Sequence, residues 1–589
     1  MKHFIYFLVV LFSAQFLIAD DVEEVTVTAS LIDQNLSEIG DPVQVLSGTD
    51  LDDQGRASLG ESIDDLLGVA NADYGFATGQ PVIRGLSGSR VKILKNGMVN
   101  RDVAGIGVDH PVEIDMNNVQ QIEVVRGPSS LLYANGGVGG IINIVDNTIA
   151  RQDFDGLNAN VDFEKQSVNR GSVEAFGITN IVNGINFSYS YENTDFENYD
   201  IPDGAVMHSE EEHDEHEGEE DHDEHEEEEH HDEELGYLEN SDYERESHKF
   251  GFSVVEDWGY IGASANILET HYGIPYHGEG HGGHGGHGDE EEHDEHEGEE
   301  DHDEHEEEEH HDEHEEEHGE QTFYNVDMSS ASLALTYTYD IDENVKFLIG
   351  AASVERAPSA LELFMNGPHL ATGRLETGNV NLNAERSNNI DLTLEFDIDS
   401  WYGNVSVYAN NITDYIYLQD ETEEDHEEEG HDDHGGLIKS DYLQKDAEFT
   451  GYELQFGTII DVDNGEVEVS FGRDSVEGKF ASGGYIPRMT PARNFFDVSY
   501  SNDDLKTTLS LKDVEEQTKL ALNETATEGY QMVDFTISGT VPLDPNVDLK
   551  LSFFASNLLD EAARNHNSFV KDQVPLPGRN VGLRFSLRF

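Results

Sequence analysis

Apolar and polar residues alternate one by one, in short blocks, from about Gly156 to the last residue, Phe589. A period of two places neighbouring side chains on opposite faces of a β-strand. One apolar and one polar face, repeated in roughly sixteen blocks, are typical of an antiparallel β-barrel with lipid outside and a wet lumen. A soluble β-sandwich alternates in the same way but rarely needs so long a chain. Two series show the pattern clearly: Leu333, Leu335, Tyr337 and Tyr339, and Val581, Leu583, Phe585, Leu587 and Phe589.

The formal net charge of -93 is concentrated in a few tracts. Of the 125 Asp and Glu residues, 50 lie in residues 210–234, 289–320 and 420–434, so the rest of the chain has a foldable composition. Because so acidic a chain repels phosphate backbones, we expect no nucleic-acid partner. The sequence has no cysteine, which leaves imidazole and carboxylate as the available metal ligands.

Histidine and carboxylate tracts fall between predicted barrel strands, in loops expected to be external at 205–240, 273–320 and 420–436. The same 24 letters, EEEHDEHEGEEDHDEHEEEEHHDE, stand at 210–233 and at 290–313. An acidic run alone is most often a solvated, self-repelling loop. Closely spaced histidines among carboxylates favour capture of Zn²⁺, Ni²⁺, Co²⁺ or Cu²⁺ instead. We therefore predict metal ligands at His213, His216, His222, His225, His281, His284, His293, His296, His302 and His305.

The N-terminal quarter of the chain divides into three parts. Residues 1–19 combine Lys2, an apolar run and a final Ala19, which is typical of a secretory signal peptide. Residues 20–35 hold a short β-branched segment around Val25 and Val27. Residues 36–150 are predicted to form a compact α+β domain, and residues 151–589 the barrel.

Local motifs support the α+β domain. Ser58 and Glu61 have the spacing of a capping box, which predicts a helix with Ile63, Leu66 and Leu67 on one face. Two predicted strands end at glycine, one at Gly85 and one at Gly127.

These motifs, in this order, resemble the TonB-dependent outer-membrane receptors. Their plug domain is similar to the stretch of sequence that runs from GQPVIRGLSGSRVKILKNGM through VQQIEVVRGPSSLLYANGGVGGIINI. The last alternating segment resembles their closing strand. The resemblance implies a plug within a barrel of about 22 strands, surrounded by outer-membrane lipid. It also implies uptake driven by TonB with ExbB and ExbD. The segment that resembles the TonB box, which adds as a strand to TonB, consists of Glu24, Val25, Thr26, Val27 and Thr28.

The strand count departs from the family. Near Phe323–Ala331 the chain passes abruptly from what resembles an early barrel hairpin to a late one, so we expect central strands to be missing. Because the bore of a barrel grows with strand number, the narrower barrel is expected to fit a globular plug poorly.

Two further stretches, GVDHPVEID and NGPHLATG, resemble those of zinc-specific members of the family, whose plug Asp-His pair and barrel-loop histidine bind the ion. The resemblance implies that Asp109, His110 and His369 bind the transported metal, with zinc as the substrate ion. From the residues alone, Asp109 could instead cap a turn before Pro111. We therefore predict active zinc uptake, with the His-rich loops collecting ions.

The matches to enzyme motifs in this sequence are weak. His314 and His318 satisfy H-E-x-x-H, but within a glutamate run, and Gly136–Gly140 lacks the Lys-Ser/Thr of a phosphate loop. We expect neither catalysis nor a catalytic cofactor. Three alternatives to a zinc receptor remain: a receptor for nickel, copper or a metal chelate such as haem, a surface metal buffer that does not transport, and a passive porin.

Overall fold

The computed structural model describes residues 43–206, 236–275, 328–422 and 437–589, apart from positions 49, 50, 52, 54, 57, 106, 117 and 118, together with residues 26–27 and 34–35. Within this part of the chain, no helix is long and apolar enough to cross a membrane. The predicted signal peptide lies outside the described residues. Of the predicted TonB box, Thr26 and Val27 form strand β1 (Thr26–Val27), which pairs antiparallel with β2 (Gln34–Asn35).

The N-terminal domain, the plug, is built on a five-stranded sheet and a separate hairpin. The sheet has the order β3, β8, β9, β6, β7, and the hairpin consists of β4 and β5. Their bounds are β3 (Val43–Ser47), β4 (Val69–Asp73), β5 (Gly79–Ile83), β6 (Val91–Lys95), β7 (Met98–Val99), β8 (Val119–Arg126) and β9 (Gly140–Asp146). Short 3-10 helices lie at Gly88–Arg90, Val103–Gly105 and Gly127–Leu132.

Helix α1 (Leu59–Ile63) covers the plug sheet and forms where the capping motif predicts it. Ser58 Oγ accepts a hydrogen bond from the backbone N–H of Glu61 at 3.2 Å. The helix ends at Ile63, so the prediction that Leu66 and Leu67 continue its apolar face is wrong; they lie in the turn that leads into β4. Leu59 and Ile63 pack in an apolar core with residues of the sheet, among them Val91, Ile122 and Ile142.

The C-terminal domain is a β-barrel, as predicted, with strand β27 returning to pair with β10. Strands β10–β16 and β19–β27 supply sixteen wall strands, the number read from the sequence, and β17 and β18 form a small hairpin above the wall. The bounds are β10 (Asn158–Gln166), β11 (Ser172–Val182), β12 (Ile185–Phe196), β13 (Tyr243–Glu256), β14 (Gly259–Tyr272), β15 (Leu333–Asp342), β16 (Val345–Arg356), β17 (Asn366–His369), β18 (Arg374–Thr377), β19 (Glu385–Ile398), β20 (Trp401–Asp420), β21 (Ile438–Val462), β22 (Gly465–Phe480), β23 (Arg493–Ser501), β24 (Leu505–Val514), β25 (Tyr530–Asp544), β26 (Val547–Ser556) and β27 (Asn580–Arg588).

The predicted lipid-facing residues point outward. Leu583 is 48% exposed and Phe585 is 44% exposed, whereas polar lumen residues such as Glu453 are buried against the plug. This arrangement matches an apolar outer face and a polar inner one.

The wall is least continuous between β14 and β15, where the sequence passes from an early to a late hairpin. Antiparallel registers link β15 through β16 and β19 around the barrel to β27, β10 and finally β14. Within the described residues, β14 and β15 share no such register, although they are neighbours in the barrel order. Both strands are exposed at almost every residue, on the lumen side as well as outside.

The narrower barrel nevertheless holds the plug, so the expected poor fit is wrong. Charged plug side chains contact wall strands around the barrel: Asp115 pairs with Lys249 of β13 at 2.9 Å, and Asp53 pairs with Lys550 of β26 at 2.8 Å. Arg84 bonds Asp391 of β19 at 2.7 Å and Glu453 of β21 at 2.8 Å. Arg126 bonds the same Glu453 at 2.8 Å. A network of buried ion pairs therefore joins plug and wall.

Glu453→Ala is expected to loosen the plug without opening the barrel. The substitution leaves Arg84 and Arg126 buried with one carboxylate fewer. Removing one partner of a buried ion pair lowers stability by about 3–5 kcal/mol. Hydrogen–deuterium exchange of β4, β5 and β8 should therefore accelerate by roughly a hundredfold or more.

The matched control removes an exposed pair. Asp200→Asn removes the charge pair between Arg170 and Asp200, whose side chains are 52% and 46% exposed. The free energy of opening measured by hydrogen–deuterium exchange of the plug should change by less than about 1 kcal/mol. Unchanged plug exchange in Glu453→Ala would show that this network does not hold the plug.

Candidate metal centre

The loop that carries Asp109 and His110 is fixed by the β4–β5 hairpin. Gln80 Nε2 donates to the carbonyl oxygens of Ala104 at 3.2 Å and Gly107 at 2.8 Å. Thr78 Oγ1, in the turn of the hairpin, donates to the carbonyl oxygen of Asp109 at 3.4 Å. The loop is therefore tied to the plug at both ends, and Asp109 is 9% exposed.

His369 comes from an excursion of the barrel chain. Helix α2 (Ala360–Phe364) begins with a full capping box formed by Ser359 and Glu362. Strand β17 follows the helix and ends at His369. A 3-10 helix at Leu370–Thr372 ends at Gly373, whose φ of 63° turns the chain back into β18. Strand β18 pairs with β17 and also runs parallel to β21. These pairings hold His369 over the plug.

Asp109 and His369 meet across the boundary between the two domains. Asp109 Oδ1 lies 3.5 Å from His369 Nε2, and this buried oxygen has no hydrogen-bond partner among the described residues. Gly107 leaves the space between them open: a Cβ there would lie 2.5 Å from Asp109 Oδ1, 3.1 Å from His369 Nε2 and 3.4 Å from His110 Cδ2. All three predicted ligands therefore surround one small space.

Glu376 orients His369 from the other side. Its Oε1 lies 2.9 Å from His369 Nδ1 and accepts from Thr372 Oγ1 at 2.8 Å, while Oε2 accepts from Tyr442 OH at 3.2 Å. A carboxylate on one imidazole nitrogen fixes the tautomer and leaves the other nitrogen to bind a metal. With Nδ1 turned to Glu376, Nε2 faces Asp109.

The two carboxylates change the protonation of the centre. Asp109 and hydrogen-bonded Glu376 raise the pKa of His369 to about 9. Burial acts to raise the pKa values of Asp109 and Glu376, but both pKa values are lowered. The interaction with His369 is the largest opposing cause for each carboxylate; His110 adds to it at Asp109, and the hydroxyl groups of Thr372 and Tyr442 add to it at Glu376. At neutral pH the metal-free centre therefore holds a protonated imidazole between two carboxylates.

The structure brings the predicted ligands together only in part. His110 Nδ1 lies 3.0 Å from Tyr272 OH, so its ring is engaged with β14. Across the described ranges, no group of three or more His, Asp or Glu side chains is arranged to hold a metal ion as it stands. His110 therefore does not complete a three-ligand set in this arrangement. The ten predicted loop histidines, from His213 to His305, lie outside the described residues.

Sequence reasoning missed Glu376 and Tyr442. Glu376 follows His369 by seven residues, and a tight turn at Gly373 between two short extended segments is the signal that could have paired them. Tyr442 arrives through the parallel pairing of β18 with β21, which leaves no local sequence signal.

Comparison with known families decides what kind of protein carries this centre. Residues 35–141 match the TonB-dependent Receptor Plug Domain, and residues 309–558 match the TonB dependent receptor-like β-barrel. The chain belongs to the TonB-dependent receptor family. Receptors of this family are outer-membrane proteins of Gram-negative bacteria, which places this chain in that membrane.

Individual relatives of the receptor are distant. The vitamin B12 transporter BtuB of Vibrio vulnificus (strain CMCP6) is 25% identical over 195 residues, which are 29% of this chain and 31% of that transporter, so the chain matches about a third of its length. The copper transporter OprC has a TM-score of 0.67 at 13% identity, with 93% of this chain and 98% of that one covered. The siderophore receptor PirA from Acinetobacter baumannii has a TM-score of 0.58 at 14% identity, with 93% and 98% covered. At such identities the two structures establish a shared fold.

Metal binding at this centre should release a proton at neutral pH. Because the pKa of His369 is raised to about 9, zinc must displace a proton below that pH, and apparent affinity should rise about tenfold per pH unit from pH 7 to 9. Calorimetry in buffers of different ionisation enthalpy should show about one more proton released per bound ion by the receptor than by His369→Ala at pH 7.5. Equal proton release by both proteins would contradict this.

Gly107→Ala should block the centre while every proposed ligand residue stays in the sequence. The added methyl group would lie 2.5 Å from Asp109 Oδ1 and 3.1 Å from His369 Nε2, in the space that the ion needs. Zinc binding at this centre should fall at least about tenfold, measured by competition with a chelator. Gly105→Ala is the control, because a Cβ at Gly105 meets nothing within 4 Å; equal binding by the two variants would show that the ion binds elsewhere.

Proposed function

We propose that this receptor takes up zinc, or a similar divalent transition metal, across the outer membrane by TonB-dependent active transport. The observation that carries the proposal is the convergence of Asp109 and His369 on the space beside Gly107. A buried carboxylate oxygen 3.5 Å from an imidazole nitrogen, with a second carboxylate on the other ring nitrogen, offers two donors of the kind that zinc sites use. His110 is the third ligand in this proposal.

Imidazole and carboxylate also bind nickel and copper(II), so the donor set alone does not select zinc. Copper(I) prefers thiolate and thioether ligands, and the residues around Gly107 supply neither. The likeness to a protein named as a copper transporter rests on shared fold at 13% identity and does not shift this choice. A receptor for a larger metal chelate, such as haem, would need room for an organic ligand beside Gly107.

The histidine and carboxylate loops have a separate part in the proposal. They gather ions from the medium, and the field of their negative charge raises the local cation concentration near the centre. In this proposal the loops hold each ion more weakly than Asp109 and His369 do, so ions pass readily from the loops to these ligands.

Transport in this proposal draws energy from TonB with ExbB and ExbD. Residues 24–28 provide the strand that TonB binds. Strand β1 pairs with β2 through Val27 and Gln34, so this pairing must open before TonB can add to the same edge. TonB then pulls on the N-terminal segment and displaces the plug.

Val27→Pro should abolish zinc uptake and leave surface binding intact, because proline removes a backbone donor that strand addition requires. The measurement is accumulation of radioactive zinc by zinc-starved cells that carry the receptor, Val27→Pro, His369→Ala or the control Val27→Ala. The receptor and Val27→Ala should accumulate zinc, and the other two variants should not.

The same experiment separates the alternatives. Equal accumulation by Val27→Pro and the unaltered receptor would indicate a passive pore. Surface binding without accumulation by any of the proteins would indicate a metal buffer. Accumulation of nickel or copper in preference to zinc would reassign the substrate.

A further inference from the structure

The barrel wall has one open seam, formed by the facing edges of β14 (Gly259–Tyr272) and β15 (Leu333–Asp342). Every other pair of neighbouring wall strands shares an antiparallel register. Within the described ranges, no register pairs a residue of β14 with a residue of β15. One edge of each strand is therefore left without a neighbour.

The exposure of side chains marks the same seam. On the outer face, Leu335 of β15 is 72% exposed, whereas Leu392 of β19, which has a paired strand on each side, is 38% exposed. On the lumen face, Ser264 of β14 and Thr336 of β15 are exposed as well. A missing neighbour accounts for both observations, because a paired strand covers side chains on either face of a sheet.

An unpaired strand edge is costly in a membrane. Backbone N–H and C=O groups at such an edge find no water in the hydrocarbon region, and spanning barrels therefore close all their edges. Residues 276–327, which connect the two strands, have apolar residues only near their ends and lack the alternation of a membrane strand. The seam must therefore close either on itself or with strands of another chain.

Strand direction limits what can occupy the seam. The sixteen wall strands are linked by fifteen antiparallel registers, so β14 and β15 run in opposite directions. An antiparallel insertion between them must contain an even number of strands. A second copy of the chain offers two strands of opposite direction, its own β14 and β15, and these carry the same open edges.

We propose that two copies of the chain associate through their seams, with β14 of each copy paired to β15 of the other. A two-fold axis along the membrane normal produces both antiparallel pairings at once and leaves no open edge. If each of the four edges is about 33 Å long and about 10 Å thick, the contact buries roughly 1,300 Å², which exceeds the area of about 1,000 Å² expected of a specific interface.

The edges themselves carry no charge that would oppose this contact. Residues 260–268 of β14 and 333–339 of β15 have no charged side chain. The acidic tract at 289–320 belongs to the connection between the two strands, and its charge repels the same tract of a second copy. Salt at about 0.15 M screens charges that are more than about 8 Å apart, so association should strengthen as salt is raised to that concentration.

Cysteine cross-linking tests the proposal directly, because the chain has no cysteine of its own. Ser264→Cys and Thr336→Cys are placed in separate full-length chains of different size, which are produced together in the outer membrane and treated with a short thiol-to-thiol cross-linker. The two chains should give a product of their combined size. Either variant produced alone should give several-fold less product, because a two-fold axis brings β14 against β15 and not against its own copy. Asn266→Cys with Thr338→Cys provides a second pair on the same faces.

Val498→Cys and Leu509→Cys form the matched control, because these two residues are opposite each other in the register of β23 with β24. Placed in one chain they should give an internal link, and placed in separate chains they should give no dimer. A chain that carries both Ser264→Cys and Thr336→Cys should give the dimer; an internally linked monomer instead would show that the seam closes on itself and would overturn the inference.

Two further results would also overturn it. The first is the absence of a dimer from both seam pairs although the control chain forms its internal link. The second is a seam product that joins the chain to a different protein. Light scattering of the unaltered receptor in mild detergent is an independent measurement that needs no substitution: it should give the mass of two chains, and the mass of one chain would contradict the proposal.

Discussion

Buried charge pairs across the plug–barrel boundary underlie the rest of the structure. Arg84 has a φ of 50°, a left-handed conformation that a non-glycine residue adopts at some cost. It is held there by Asp391 and Glu453 and by the ring of Tyr408, whose centroid lies 3.9 Å from its guanidinium carbon. Such contacts also respond to hydration, because entering water raises the local dielectric and weakens each pair. An apolar boundary would lack this response to water.

The candidate metal centre depends on the same docking of the plug. Asp109 belongs to the plug and His369 to the barrel chain, and their side chains come within 3.5 Å only when the two domains are docked. Ion affinity and plug position are therefore linked: an ion that binds both residues stabilises the docked state, and displacement of the plug weakens ion binding by the same free energy. Under the proposed function, release of the ion into the periplasm then needs no separate step that removes the ligands.

The sequence predicts the wall and most of the centre because both leave local signals. The alternation of apolar and polar residues identifies the strands. The sequences around Asp109 and His369 identify two residues whose side chains lie close together in the structure. Helix α1 is shorter than its apolar spacing suggests, because Leu66 and Leu67 turn toward β4 and its contacts with the wall. Glu376 reaches His369 through the short β17–β18 hairpin, whose only sequence signal is the turn at Gly373. Tyr442 depends on the parallel pairing of β18 with β21, a long-range contact without periodicity. The fit of the plug in a sixteen-strand wall depends on ion pairs between residues hundreds of positions apart, such as Arg84 and Glu453.

The excursion that presents His369 is not part of the wall. Strand β16 pairs directly with β19, from Val345 opposite Phe396 to Arg356 opposite Glu385, as if residues 357–384 were absent. Insertions, deletions or wholesale replacement of this segment would leave every wall register intact. Under the proposed function, exchange of this one segment can therefore change which ion is bound without altering the strands that must assemble in the membrane.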